Sequence, residues 1–372
     1  MKVILSRKGF DSENGTLPSP ILPDGTLLSL PIPSVHGNMT YEDLTYQGIS
    51  YYDIIKDLSP EAKVIGFQHQ KCHLDPDIRR GICKRDHEWQ AAFGQCSGPQ
   101  THLKNNGVSV GDIFLFYGWF KQTAWDKDNK LRYIRNAPDL HVIYGYMQIG
   151  EIKKDKDEIQ KFRWHPHTLS PFKDFQNNTI YIPMEKYTLN DIQPAYGTLR
   201  FGGNSAINVL TKPGKSRSKW GLPDFFKTDS ISISYHNNLS NGFIGNNDYF
   251  QSVNKGQEFV IDDNEKVINW VQKMIEDMSD SNKPKTFPVN HLNYPDSNGN
   301  IYCRKSNSIR KLDFSDNNLG CPCDMCAGSL QGDGVECMWN DYIPSEDSMR
   351  YVTNPKIEFE RIQQLQSDGY IE

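Results

Sequence analysis

Two runs decide how this chain is read: Ile113-Phe114-Leu115-Phe116-Tyr117-Gly118-Trp119-Phe120, and His141-Val142-Ile143-Tyr144-Gly145-Tyr146-Met147-Gln148-Ile149-Gly150-Glu151-Ile152. Strands that bury one face alternate apolar and polar side chains. Runs as continuously apolar as these are buried on both faces or close into a barrel. Gly118 and Gly145 suit the sharp bends of a small barrel. The turn Asn106-Gly107-Val108-Ser109-Val110-Gly111-Asp112 leads into the first run, and a charged, Asn-rich insertion over 122–138 separates the two.

Working outward, shorter strands are expected at 2–6, 26–33, 179–183, 207–211 and 231–235. Pro23-Asp24-Gly25 is a turn signal, so the first two of these form an irregular hairpin with a stiff, proline-rich loop. Residues 41–58 are expected to form a short helix, with Tyr41, Leu44 and Tyr52 available for packing, and a helix start is expected at 97–104. The strongest helix covers 264–278, where Val267, Ile268, Val271, Met274, Ile275 and Met278 recur at helical spacing behind an Asp262 or Asp263 cap. The stretch 66–107 is polar and rich in His, Cys and Gly; so long a piece without regular periodicity is more often functional than idle.

The expected class is α+β and mostly β. A domain over 1–278 carries a barrel-like core at about 106–260, followed by a linker at 279–302, a Cys-rich module at 303–345 and a tail at 346–372. With 37% apolar and 12% aromatic residues in 372, wholesale disorder is excluded. A formal charge of −5 excludes a uniformly basic DNA-coating protein and leaves room for a local basic groove. No run approaches the roughly 20 apolar residues of a membrane span, and the start turns polar too soon for a signal peptide. A cytoplasmic protein with no membrane partner is therefore expected.

Several constellations could carry chemistry. Arg7 and Lys8 beside Asp11 could clamp an anion, or Arg7 and Asp11 could simply stiffen their loop. His73 with Asp75 and Asp77, His102, His165 with His167, and His236 with Glu258 supply enough ligands for a non-haem metal ion. The same imidazoles could move protons, or be scattered and hydrogen-bonded singly. Lys212-Pro213-Gly214-Lys215-Ser216-Arg217-Ser218-Lys219-Trp220 concentrates positive charge beside an aromatic ring, which suits a phosphate backbone and a stacked base, or a plain solvated loop. The clustered late cysteines fit a metal better than a disulfide framework. Cys321, Cys323 and Cys326 form a tight three-thiolate loop that Cys303 or Cys337 could complete around structural zinc, with an iron–sulfur cluster or free thiols as alternatives. Dinucleotide, P-loop, serine-elbow and His-Glu-x-x-His motifs are all missing, which removes the usual support for those enzyme classes.

The Gly111-Asp112 turn, the strand through Tyr117 and the answering strand with Gly145 resemble PUA-like barrel domains of the EVE and ASCH type over about 106–153; an ordinary antiparallel hairpin accounts for the same residues. The resemblance implies a small barrel that binds nucleic acid around a modified base, with Tyr117, Trp119, Trp125 and Tyr144 as stacking rings. Over about 1–275 the chain resembles the bacterial family called nucleotide modification associated domain, type three. That likeness rests on Leu5-Ser6-Arg7-Lys8-Gly9-Phe10-Asp11-Ser12, Pro18-Ser19-Pro20-Ile21-Leu22-Pro23-Asp24-Gly25, Asp75-Pro76-Asp77, Phe93-Gly94-Gln95, His165-Pro166-His167, Ser234-Tyr235-His236 and Gly256-Gln257-Glu258. It implies recognition or processing of a modified nucleotide or base within a nucleic-acid modification or defence system.

Two functional readings follow. In a binding reading Tyr117, Trp119 and Tyr144 stack a base, while Arg7, Lys8, Asp11, Lys215, Arg217 and Lys219 hold a nucleotide or nucleic acid. In an enzyme reading His73, Asp75, His102, His165, His167 and His236 act on a nucleotide-like substrate, with or without a second metal ion. A zinc-stabilised scaffold that docks partner proteins of a modification system is a third class.

Overall fold

The computed structural model describes residues 1–37, 39–59, 65–85, 87–126, 130–189, 193–227, 231–235, 243–244, 248–252 and 258–279, and the backbone of 300–303 and 308–311. The chain forms two compact units. The first comprises Met1–Thr45, Ser50–Thr123 and Tyr133–Asn282. The second comprises Tyr46–Ile49, Ala124–Arg132 and Lys283–Glu372. In the second, Asn300–Cys303 pairs antiparallel with Ser308–Lys311, Cys303 opposite Ser308. Cys321, Cys323, Cys326 and Cys337 lie outside the described residues.

The first unit is built on a sheet that curls into a half-barrel. Its strands include β1 (Val3–Arg7), β2 (Ser19–Ile21), β3 (Phe93–Gln95), β4 (Ile113–Trp125), β5 (Leu140–Lys153), β6 (Thr179–Pro183) and β7 (Glu258–Ile261). The main path runs β7-β1-β4-β5-β6-β3, with β2 beside β4. β1 and β4 are parallel, Val3 opposite Ile113 and Arg7 opposite Tyr117. β4 and β5 are antiparallel, with a register shift between Ile143 and Gly145.

The apolar runs are buried on both faces, as their composition requires. Val3, Leu5, Ile113, Leu115 and Tyr117 face one core, shared with Val267, Val271, Met274 and Ile275 of the last helix. Ile4, Phe114, Phe116 and Phe120 face the other, with Phe93 and Leu103. The shift in β5 switches faces along the strand: Tyr144 joins Phe116, whereas Tyr146 joins Leu115. A bulge inserts one residue and so inverts the alternation beyond it.

Three longer helices, beside the short helix Lys156–Gln160, complete the unit: α1 (Tyr51–Leu58), α2 (Ser97–Asn105) and α3 (Glu265–Met278). α1 is shorter than its sequence suggests. Ser50 caps it by accepting the Asp53 amide, so Tyr41 and Leu44 are buried ahead of the helix rather than on it. α3 is capped by Asn264, whose Oδ1 accepts the amides of Lys266 and Val267. The expected caps are occupied elsewhere: Asp262 pairs with Lys2 and Asp263 with the N-terminal ammonium. The strands expected at 207–211 and 231–235 are reduced to single bridges, Val142 to Val209, Thr211 to Trp220 and Ile233 to Ile261. No described helix is long and apolar enough to cross a membrane.

Candidate active site

The site grows from the edge strand β3. Asp77 and Ala92 exchange both backbone hydrogen bonds, and extending that antiparallel register by two residues sets Asp75 against Gly94. The Gly94 amide donates to Asp75 Oδ1 at 2.9 Å. His73 ends the short strand Lys71–His73, which pairs with Ile32–Pro33. The segment from His165 to His167 forms a single tight turn in which the His167 amide donates to His165 Nδ1. Both imidazoles lie against Gly94: a Cβ there would sit 2.5 Å from His167 Cδ2 and 2.7 Å from His165 Cε1. Only a residue without a side chain lets the two rings approach the carboxylate.

Three imidazoles therefore surround one buried acid. His73 Nε2 and His167 Nε2 stand 3.5 and 3.6 Å from Asp75 Oδ2, and His165 Nε2 stands 3.3 Å from Oδ1. His73, Asp75 and His167 each offer a ligand atom within 4.8 Å of the others. His73 Nδ1 and His165 Nε2 are buried without a hydrogen-bond partner, the 3.3 Å approach to Asp75 being poorly aligned. Asn178 fixes the state of His167: its Nδ2 donates to the His167 carbonyl, so its Oδ1 accepts from His167 Nδ1 at 2.6 Å. That leaves the His167 Nε2 lone pair facing the carboxylate.

Burial pushes the His167 imidazole down to about 3. For Asp75 burial acts to raise the carboxyl, but the surrounding imidazoles, His165 foremost and then His73 and His167, hold it well below the usual carboxylate range. The ring of Phe172 covers the cluster, 4.7 Å from that of His73 and 5.0 Å from that of His167.

The cluster opens into a cavity of about 310 Å³, lined also by Arg7, Lys8, Asp11, Gln95, Cys96 and Ser97. Lys8 pairs with Glu258 at 2.9 Å, Gln95 donates to the same oxygen, and the lysine sits over the Phe93 ring. Asp11 is engaged locally, accepting the amides of Glu13 and Asn14. Arg7 has no hydrogen bond or ion pair among the described residues and lines the cavity beside Asp11. A larger groove of about 590 Å³ runs beside α3, but no histidine or carboxylate lines it.

Other expected residues lie apart from this cavity. Tyr117 and Tyr144 are 2% and 4% exposed and belong to opposite cores, so neither ring offers a face for a base. Trp119 is half-buried, donates to Asp139 and carries the Arg217 guanidinium 4.0 Å from its ring centre. Arg217 also donates to Ser12 Oγ, joining the basic loop to the N-terminal loop. Lys215 pairs with Asp248, and Lys219 lies over Tyr249. His102 bonds Ser234 Oγ at 2.8 Å and stacks on Tyr235, outside the cluster. His236 is outside the described residues. Sequence reading missed the parts played by Gly94, Phe172 and Asn178; the Phe93-Gly94-Gln95 motif carried the only signal.

Residues 2–262 match the family described as Nucleotide modification associated domain 3, and the chain belongs to it. No curated protein and no solved structure matches.

Proposed function

As a member of the Nucleotide modification associated domain 3 family, this protein, we propose, takes one modified nucleotide or base into the cavity between Arg7 and the His/Asp cluster and recognises or processes it there. The observation that carries this reading is the sharing of one cavity by a guanidinium unpaired among the described residues and a set of under-bonded imidazoles around a carboxylate. Family membership supplies the nucleotide chemistry.

Arg7 holds a phosphate, since a guanidinium presents two parallel donors to two phosphate oxygens. Lys8 is already balanced by Glu258 and serves as a positioned donor rather than a free charge. Phe172 supplies an aromatic face at the cavity wall, the task that buried Tyr117 and Tyr144 do not perform. The volume lies at the low end of small-molecule sites, which suits a single nucleotide rather than a length of strand. His167, neutral and with Nε2 free, accepts a proton from a bound group or coordinates at the same atom. Arg217, tied to the N-terminal loop through Ser12, extends positive charge beyond the cavity toward a nucleic-acid backbone. The PUA-like character of the 106–153 hairpin belongs to the same proposal, with its sheet as scaffold rather than stacking platform.

Calorimetric titration of the full chain with nucleoside 5′-monophosphates tests the reading. Binding should weaken with added salt and fall about tenfold or more in Arg7→Ala, the worth of one charged hydrogen bond. Binding that Arg7→Ala leaves unchanged, or none to any nucleotide at low salt, contradicts it.

A further inference from the structure

We infer that His73 Nε2, Asp75 Oδ2 and His167 Nε2 are the three protein ligands of a divalent first-row transition-metal ion, with His165 and Asn178 as positioning residues behind them.

The ligand atoms are spaced for it. Ligands bound at about 2.0–2.2 Å stand roughly 3.0–3.5 Å apart around an ion. Asp75 Oδ2 lies 3.5 and 3.6 Å from the two imidazole nitrogens. These two separations exceed good hydrogen bonds yet need only a few tenths of an ångström of closure around a metal, and the imidazole ligand atoms lie within 4.8 Å of each other. The tautomer of His167 leads the same way. With Nδ1–H donated to Asn178, Nε2 is an acceptor facing a second acceptor, an arrangement that costs free energy until a cation sits between them.

His165 is sorted out of the ligand set by the same logic. Its Nδ1 accepts the His167 amide, so its neutral ring carries hydrogen on Nε2, aimed near Asp75 Oδ1. It orients the carboxylate, as the Gly94 amide does from the other side. Each imidazole and the carboxylate thus has a defined task, and the carboxylate–imidazole–amide shell is the usual support of a coordinated ion.

Two imidazoles and one carboxylate select an ion of intermediate hardness such as Zn(II), Fe(II) or Mn(II), not one that demands thiolate. Three protein ligands at a cavity floor leave coordination positions for water or a substrate oxygen, where such an ion acts as a Lewis acid. The late cysteines are a separate ligand set of different chemistry.

The assignment shares its cavity with the proposed nucleotide site but does not depend on it. Metal alone is the probe, so loss of nucleotide binding and loss of metal binding are separate results. Chelator-stripped full chain carrying Cys321→Ser and Cys323→Ser is titrated with Co(II) and Zn(II). One equivalent should bind, the Co(II) form showing weak visible bands without the strong ultraviolet charge transfer of thiolate. Adding Asp75→Asn, which keeps the shape of the acid, should abolish that equivalent, and His167→Ala should do the same. His165→Ala and Asn178→Ala should weaken it about 10- to 100-fold, and His165→Gln, which keeps a donor, should recover most of the loss. A metal-induced rise in Tm, present in the Cys variant and absent with Asp75→Asn, provides a readout within folded protein. No bound equivalent in the Cys variant, an equivalent that survives Asp75→Asn, or a thiolate spectrum overturns the assignment.

Discussion

Two carboxylates stand two residues apart in this protein, both buried, and they are treated in opposite ways. Asp77 accepts both terminal nitrogens of Arg85 and the Trp89 indole, with the Arg85 guanidinium 4.6 Å from the Trp89 ring centre. Both oxygens of that acid hold a donor. Asp75 has one aligned backbone donor and otherwise meets imidazole nitrogens that are too distant or badly oriented to bond it. The second arrangement still favours the charged acid, whose carboxyl the imidazoles hold low, but it leaves unmade the close hydrogen bonds that Asp77 has. Asp77 holds the loop; Asp75 is held by the loop for another purpose. Such a division separates structure from chemistry within a single Asp-x-Asp motif.

Substitutions can break that contrast, the largest effect first. Asp77→Ala leaves the buried Arg85 charge without its carboxylate, only the Arg79 and Arg80 carbonyls remaining, so unfolding in urea should lose about 3–5 kcal/mol. A loss under 1 kcal/mol would mean the bidentate pair contributes nothing. Gly94→Ala pushes a methyl group into the His165 and His167 rings; it should cost about 1–3 kcal/mol and abolish binding at the cavity, measured by the same unfolding and by titration. If binding survives, the rings are not seated against that glycine. Arg7→Ala is the mildest: with no partner among the described residues to strand, stability should stay within about 0.5 kcal/mol while nucleotide affinity falls. A clear loss of stability would mean that Arg7 has a structural bond.

Much of the sheet was readable from the chain, for a simple reason. Runs such as Ile113 to Phe120 contain almost nothing polar, and only burial on two faces accommodates that. The strand over Thr179–Pro183 was bounded by its own residues in the same way. At 207–211 and 231–235 the alternation was present, yet each segment meets the sheet at isolated bridges only, a tertiary outcome that no local pattern encodes. The aromatic rings misled for a related reason. Tyr117 and Tyr144 looked available for stacking, but a tyrosine inside an apolar strand fills the core by default.

The chemistry was legible in residue type and hidden in arrangement. His73, Asp75, His165 and His167 could be named as candidates, whereas their meeting depends on contacts across about ninety residues that pass through the Asp77–Ala92 bridge. His102 has the same composition signal and belongs elsewhere, bonded to Ser234. Gly94 was the hardest to find, since its contribution is the absence of a side chain. Asn178 and Phe172 have no motif at all; their roles appear only once the rings they orient and cover are in place.

One number weighs the two carboxylates directly: the unfolding free energy of Asp75→Asn against wild type in urea, both freed of metal by chelation. The amide keeps the Gly94 contact and turns its nitrogen toward the His167 lone pair, which offsets the lost attraction between carboxylate and imidazoles, so stability should stay within about 1 kcal/mol of wild type. A loss of about 3 kcal/mol or more, equal to that expected for Asp77→Ala, would make Asp75 a structural acid and remove the basis for a reactive centre in this cavity.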